Sequence, residues 1–134
     1  LRNALSKLLG TKMAIDIYQK ILKRPFNVYD YKQVLPYLEL PQPQLLDFYP
    51  CVMPGWDNTP RSGVNGHVFF NPTPEVFQRH LHQAFDKVSG YQPEHQLVIL
   101  KSWNEWAEGN TLEPDQRHGD AFLRAIEQEL SQWN

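Results

Sequence analysis

Glu105 and Glu108 stand three positions apart in the run Trp103-Asn104-Glu105-Trp106-Ala107-Glu108-Gly109. Two carboxyl groups and two indoles packed this closely point to sugar chemistry. Sugars lay their apolar faces on aromatic rings and offer hydroxyls to amides and carboxylates. Breaking a glycosidic bond usually takes two carboxyl groups in different protonation states. If the charges sit roughly 5.5 Å apart at an effective dielectric near 20, they repel by about 3 kcal/mol. That repulsion equals about two pKa units. One carboxyl would then stay protonated near neutrality as a general acid while the other remains ionised as a base. An arbitrary Glu-x-x-Glu is a solvated helix face. The flanking indoles and the apolar run just before them set this one apart.

The elements that must position these residues can be read outward from them. Leu97-Val98-Ile99-Leu100 has no polar face, which reads as a strand buried on both sides, as in a parallel sheet. Ligands bind at the C-terminal ends of such strands in α/β folds. A second strand is expected over Leu45–Met53, with Pro50 marking an irregular segment. It leads into Pro54-Gly55-Trp56-Asp57-Asn58. There Gly55 permits a turn, Trp56 offers a stacking face, and Asp57 and Asn58 offer acceptors and a donor for hydroxyls. Arg61 could neutralise Asp57 or meet an acidic substituent on a ligand. An ordinary Asx-rich turn is the plainer reading of the same stretch. Between the two strands, Thr73 and Pro74 open a helix that buries Phe77, Leu81, Ala84, Phe85 and Val88 and stops before Gly90. Strand, helix and strand form one βαβ unit. His80 and His82 lie two apart on that helix and point to opposite sides, so they cannot share a metal ion.

The rest of the chain reads as scaffold. Residues 1–24 form a helical lead-in. Its first helix has a stripe of Leu1, Ala4, Leu5, Leu8 and Leu9. Its second, capped by Thr11, buries Ala14, Ile17, Tyr18, Ile21 and Leu22. Phe26 to Tyr31 is β-prone and ends in Tyr29-Asp30-Tyr31, where Asp30 caps a short helix that Pro36 limits. Pro41-Gln42-Pro43-Gln44 is a loop. A final helix from about His118 buries Ala121, Phe122, Ala125, Ile126 and Leu130 and leaves Glu127 and Glu129 to solvent. Cys51 falls inside the second strand, which predicts a buried, inert thiol.

Composition narrows the class. The chain has 134 residues, 41% of them apolar, which is one domain's length with enough apolar content for a core. A formal net charge of −2 gives no basic footprint for nucleic acid. Eleven prolines and seventeen aromatics suit long shaped loops more than a helical bundle. No run is apolar enough to span a membrane. A single cysteine excludes an internal disulfide. No signal peptide is visible, which sets a cytoplasmic expectation, although the sequence opens on Leu-Arg-Asn without methionine. Nothing in the pattern calls for a metal or cofactor.

Two blocks carry a family resemblance. The first is Trp103 to Gly109 followed by Leu112-Glu113-Pro114-Asp115. The second is Tyr49-Pro50-Cys51-Val52-Met53-Pro54-Gly55-Trp56-Asp57-Asn58-Thr59-Pro60-Arg61. In this order they resemble the glycoside hydrolase family 99-like group, which includes the WbsX-type proteins of polysaccharide and O-antigen gene clusters, usually labelled glycosyltransferases. The resemblance covers roughly residues 28–130. It implies a (β/α)₈ barrel with its sugar site at the C-terminal rim, and an oligosaccharide or polysaccharide substrate of α-mannoside type. It implies that the substrate's own 2-hydroxyl attacks the anomeric carbon, with Glu105 assisting as base and Glu108 protonating the leaving oxygen. Trp103, Asn104, Trp106, Trp56 and Asp57 would orient the ring. Tyr29 would approach it, and Glu113 would contact a hydroxyl or pair with Arg117. Whether water or a sugar accepts the glycosyl group stays open between the family's branches.

A complete barrel needs about 250 residues, and about three parallel strands are legible here. The expected architecture is therefore the C-terminal portion of a (β/α)₈ barrel: residues 1–24 as lead-in and residues 26–134 as β/α units, together one partial domain. Such a piece leaves strand edges and interior apolar surface uncovered. Poor solubility, a homo-oligomer or pairing with an upstream barrel half is expected. Three functional readings follow: a glycosyl-processing enzyme, a carbohydrate-binding remnant, or a half-barrel that a partner segment completes.

Overall fold

The computed structural model describes residues 2–38 and 49–133. Leu1 of the first helical stripe, the Pro41–Gln44 loop and the Leu45–Phe48 part of the expected second strand lie outside the described residues. The architecture is mixed α/β, with three small sheets. Strands β1 (Asn27–Asp30) and β4 (His67–Phe70) pair in parallel, and β3 (Trp56–Asp57) adds antiparallel to β4. Strands β2 (Cys51–Val52) and β5 (Ile99–Leu100) form a second parallel pair. Strands β6 (Asn104–Glu105) and β7 (Asn110–Thr111) make an antiparallel hairpin. Among the described residues the sheets do not close into a barrel, and four strands rather than three take part in parallel pairs.

The expected βαβ unit is present as β2, helix α5 (Pro74–Val88) and β5. Thr73 caps α5 by accepting the Val76 amide at 3.3 Å, and Pro74 occupies the first turn, where its missing N–H costs nothing. Helix α6 (Ala121–Trp133) lies on α5. Between them and the β2–β5 pair sits the main core of Val52, Phe77, Leu81, Ala84, Leu112, Phe122 and Ala125. A smaller core joins helix α3 (Tyr31–Leu38) to α5 through Tyr31, Leu35 and Val76. At the start of α3, Asp30 Oδ1 accepts the Lys32 amide at 3.0 Å, as its capping position predicts. Tyr31 is fully buried and donates its hydroxyl to the Met53 carbonyl. That uses its only hydrogen, so His80, 2.8 Å away through Nδ1, must be the donor to the Tyr31 oxygen. Burial holds His80 neutral, lowering its pKa to about 4, with Lys87 adding to the effect.

Several expectations are corrected by these contacts. Leu97–Leu100 is not buried on both sides. Val98 and Leu100 pack on the main core, while Leu97 and Ile99 are 53% and 51% exposed. Among the described residues the strand has one neighbour and one packed face, so alternate residues meet solvent. Cys51 is exposed for the same reason. It pairs with Ile99 on the open face, whereas its neighbour Val52 pairs with Leu100 in the core. Glu129 is buried, not solvated. It shares the α6 stripe with Phe122 and Ala125 and receives Gln78 Nε2 at 3.0 Å and His82 Nδ1 at 3.0 Å. Leu130 is exposed. Pro36 does not end α3, which runs on to Leu38.

The lead-in packs less than its stripes suggest. Helix α1 (Arg2–Leu9) buries no residue, and Leu8 and Leu9 are exposed. It is tied down instead by Arg2, whose guanidinium donates to the Phe26 and Val28 carbonyls. Helix α2 (Thr11–Asp16) is preceded by Gly10 at φ 81°, so Thr11 is its first residue and not its cap. The helix widens into a π-helical turn over Ile17–Ile21, and of the predicted stripe only Ala14 is buried, with Ile21 and Leu22 exposed.

Candidate functional site

The β6–β7 hairpin carries the carboxylates, and the sequence explains its shape. Asn104 spends its side chain on the backbone. Its Oδ1 accepts the Leu112 and Glu113 amides, each at 3.1 Å, and its Nδ2 donates to Glu113 Oε2 at 3.1 Å. Leu112, fully buried, anchors the returning strand in the main core. A single 3₁₀ turn, Trp106–Glu108, bridges the strands, with Glu105 Oε1 accepting the Ala107 amide at 3.3 Å. Gly109 closes that turn in the left-handed region, at φ 63° and ψ 22°. A Cβ at Gly109 would stand 3.1 Å from the Asp57 nitrogen, so this glycine also lets the hairpin lie against β3.

Glu105 and Glu108 converge. Arg61, from the short helix α4 (Thr59–Ser62), spans them with its fork: Nη2 to Glu105 Oε1 at 2.9 Å and Nη1 to Glu108 Oε1 at 3.3 Å. The expected pairing of Arg61 with Asp57 is not seen; it meets the Glu105–Glu108 pair instead. Lys101 Nζ holds the other oxygen of Glu108, Oε2, at 2.6 Å. The same ammonium lies 4.5 Å from the centroid of the Trp56 ring. Two cations thus replace the bare repulsion expected between the carboxylates. The Lys101 hydrogen bond, then the charges of Lys101 and Arg61, hold the Glu108 carboxyl below the usual range. That is the opposite of the upward displacement expected for a resting general acid.

The other candidates divide by what their side chains already do. Trp103 and Trp106 are 59% and 68% exposed, and they are the indoles open to a ligand. Trp56 is half-buried under Lys101. Asp57 Oδ1 is taken by the Thr59 amide and hydroxyl at 2.9 and 2.6 Å, and Asn58 Oδ1 by the His67 amide at 2.8 Å. The Asp57 contact is the Asx turn of the plainer reading, whereas Asn58 reaches across to the start of β4. Glu113 bonds Asn104. Tyr29 stands apart from the carboxylates, under the Arg2 guanidinium at 5.1 Å, and lines an apolar cleft of about 650 Å³ with Val34, Pro36, Tyr37 and Phe69. The sheet, where Tyr29, Phe69 and Trp56 are cross-strand partners, links it to the centre.

Sequence reasoning missed Lys101. Its signal was there: it is the first charge after Leu97–Leu100, where a strand end delivers side chains to a rim. It also missed Asn110, which is fully buried, donates Nδ2 to the Glu108 carbonyl at 3.1 Å and leaves Oδ1 without a partner. His80 and His82 go to separate partners, Tyr31 and Glu129, and no group of His, Cys, Asp and Glu among the described residues is arranged to hold a metal. None of the described helices is long and apolar enough to cross a membrane.

The site is a pair of convergent carboxylates on a mixed α/β scaffold, with two exposed indoles in the same segment of chain. The chain matches the model of the glycosyltransferase WbsX family over residues 3–126, and it belongs to that family. It is 33% identical over 128 residues to an uncharacterized protein WxcX of Xanthomonas campestris pv. campestris, in two strains. The alignment takes in 92% of this chain and 18% of each relative, so the chain spans about a fifth of the length of the curated proteins it matches. No solved structure matches.

Proposed function

We propose that this chain carries the acid–base centre of an enzyme that cleaves or transfers a glycosyl group of a cell-surface polysaccharide or O-antigen type glycan, with α-mannoside as the sugar class. Glu105 and Glu108 are the proton-handling pair, and Trp103 and Trp106 hold the ring. The observation that carries the reading is the Arg61 fork, which brings both carboxylates to one point in a segment whose two indoles are exposed. The chain is read as the C-terminal part of a (β/α)₈ barrel. Its two parallel pairs are the strands, and the open Leu97, Ile99 and Cys51 face is the barrel's inner wall.

The resemblance gives Glu105 the base role toward the 2-hydroxyl and Glu108 the acid role toward the leaving oxygen. At rest, however, Glu108 is a carboxylate held by two cations. The acid role requires that a ligand displace Arg61 and exclude water, which favours the neutral carboxyl. Arg61, with 57% of its side chain exposed, is the contact a glycan can displace.

Turnover of α-mannosidic oligosaccharides, followed by released or transferred sugar, tests the proposal. Loss of turnover in both Glu105→Gln and Glu108→Gln supports it, and unchanged turnover in both ends it. A second reading, binding without chemistry, is favoured by the free indoles alone. Tryptophan quenching by the same oligosaccharides with no turnover would select it.

A further inference from the structure

The geometry points to Lys101 as a positioning residue of the acid pair, one that fixes both the charge of Glu108 and the plane of Trp56. The inference rests on the proposed acid–base reading, but its first test does not. Lys101 follows the last residue of β5, and its own amide donates to the carbonyl of fully buried Val52 at 2.9 Å. The base of this long side chain is therefore clamped to the core. Its tip has two partners that fix its reach, the Glu108 oxygen at 2.6 Å and the Trp56 ring at 4.5 Å. Lys101 and Glu108 have side chains 27% and 18% exposed, against 57% for Arg61.

The charges facing Glu108 come from several elements. Lys101 arrives from the end of β5 and Arg61 from α4. Glu105, on β6, is at the other tine of the Arg61 fork. Asp57, on β3, lies against the Gly109 backbone with its carboxylate already bonded to Thr59. Arg61 is shared between two carboxylates and is largely exposed, whereas Lys101 bonds one carboxylate among the described residues and is anchored. Lys101 is the cation that remains when a ligand displaces Arg61, and it decides the pH at which Glu108 can carry a proton. The Trp56 face under the ammonium is occupied, which leaves ring stacking to Trp103 and Trp106.

The test is the titration of Glu108 followed by carboxyl carbon NMR, assigned with Glu108→Gln, in the wild type, Lys101→Met and Lys101→Arg. Lys101→Met is expected to move the Glu108 midpoint upward, toward the ordinary carboxylate value, and Lys101→Arg to return it most of the way. An unmoved midpoint in folded Lys101→Met overturns the inference, as does Lys101→Arg behaving like Lys101→Met. If the oligosaccharides are turned over, the limb of the kcat profile assigned to Glu108 should move in the same direction. A midpoint that moves in a protein without turnover counts against the acid–base reading and leaves the charge-setting role of Lys101 standing. Turnover with a fixed midpoint does the reverse.

Discussion

Gly109→Ala tests how the site is held together, because one atom is asked to fit between two strands. Two penalties are predicted. The first is conformational: at φ 63° an L-residue with a Cβ costs about 1–2 kcal/mol. The second is spatial. The new Cβ would sit 3.1 Å from the Asp57 nitrogen and 3.3 Å from the Asp57 Cβ, against strand β3 and not against a flexible side-chain tip. Pushing packed backbones apart by a few tenths of an ångström is an overpacking change, typically about 1–3 kcal/mol. Gly119→Ala is the control. Gly119 has φ 57° and open space where its Cβ would go, so it carries the first penalty without the second. Loss of glycine's freedom in the unfolded chain offsets both variants equally, by about 0.4–1 kcal/mol. Urea unfolding followed by tryptophan fluorescence should therefore place Gly109→Ala about 1–3 kcal/mol below Gly119→Ala. The Gly109 variant alone should also weaken oligosaccharide quenching, since moving the turn that Gly109 closes moves Trp106 and Glu108. Equal stabilities would refute the claim that the hairpin is seated by backbone contact at Gly109.

Three further outcomes follow. His80, 4% exposed, should make the fold acid-sensitive: its pKa falls from 6.5 unfolded to about 4 folded, so only the unfolded chain gains the proton between them. Stability should be full above pH 6.5 and fall progressively to about pH 4, by about 3 kcal/mol, in urea titrations across that window; Glu108, held below the usual carboxylate range, adds its own dependence at lower pH, and a flat profile above pH 4 would contradict the burial argument. Leu112→Ala should cost about 2–5 kcal/mol by emptying the point where the hairpin enters the core, and its thermal unfolding should show it. Cys51, exposed on the open face, should react with a thiol reagent in the folded chain at nearly the rate seen in denaturant, and strong protection would mean that face is covered, by self-association or otherwise.

Local signals in the sequence determined a good deal. The Thr73-Pro74 start of α5, its buried stripe and the βαβ order needed only local chemistry, and so did the Asp30 cap. The pairing of Glu105 with Glu108 among indoles was legible because a tight turn keeps residues three apart close together. Burial was less legible, because it depends on what covers each face. Leu97–Leu100 reads as a doubly buried strand, yet one face has no covering layer among the described residues, and that single fact exposes Leu97, Ile99 and Cys51. Glu129 shows the reverse: its place on the Phe122–Ala125 stripe was in the sequence, but only the approach of Gln78 and His82 from α5 made burial of its carboxylate tolerable. The electrostatics of the centre came wholly from tertiary structure. Arg61 and Lys101 stand 44 and 7 residues from the carboxylates they bond, and charges so placed act through space and not along the chain. Residue types and short spacings named the two carboxyls; the folded chain chose the cations beside them, and with those the charge that Glu108 keeps.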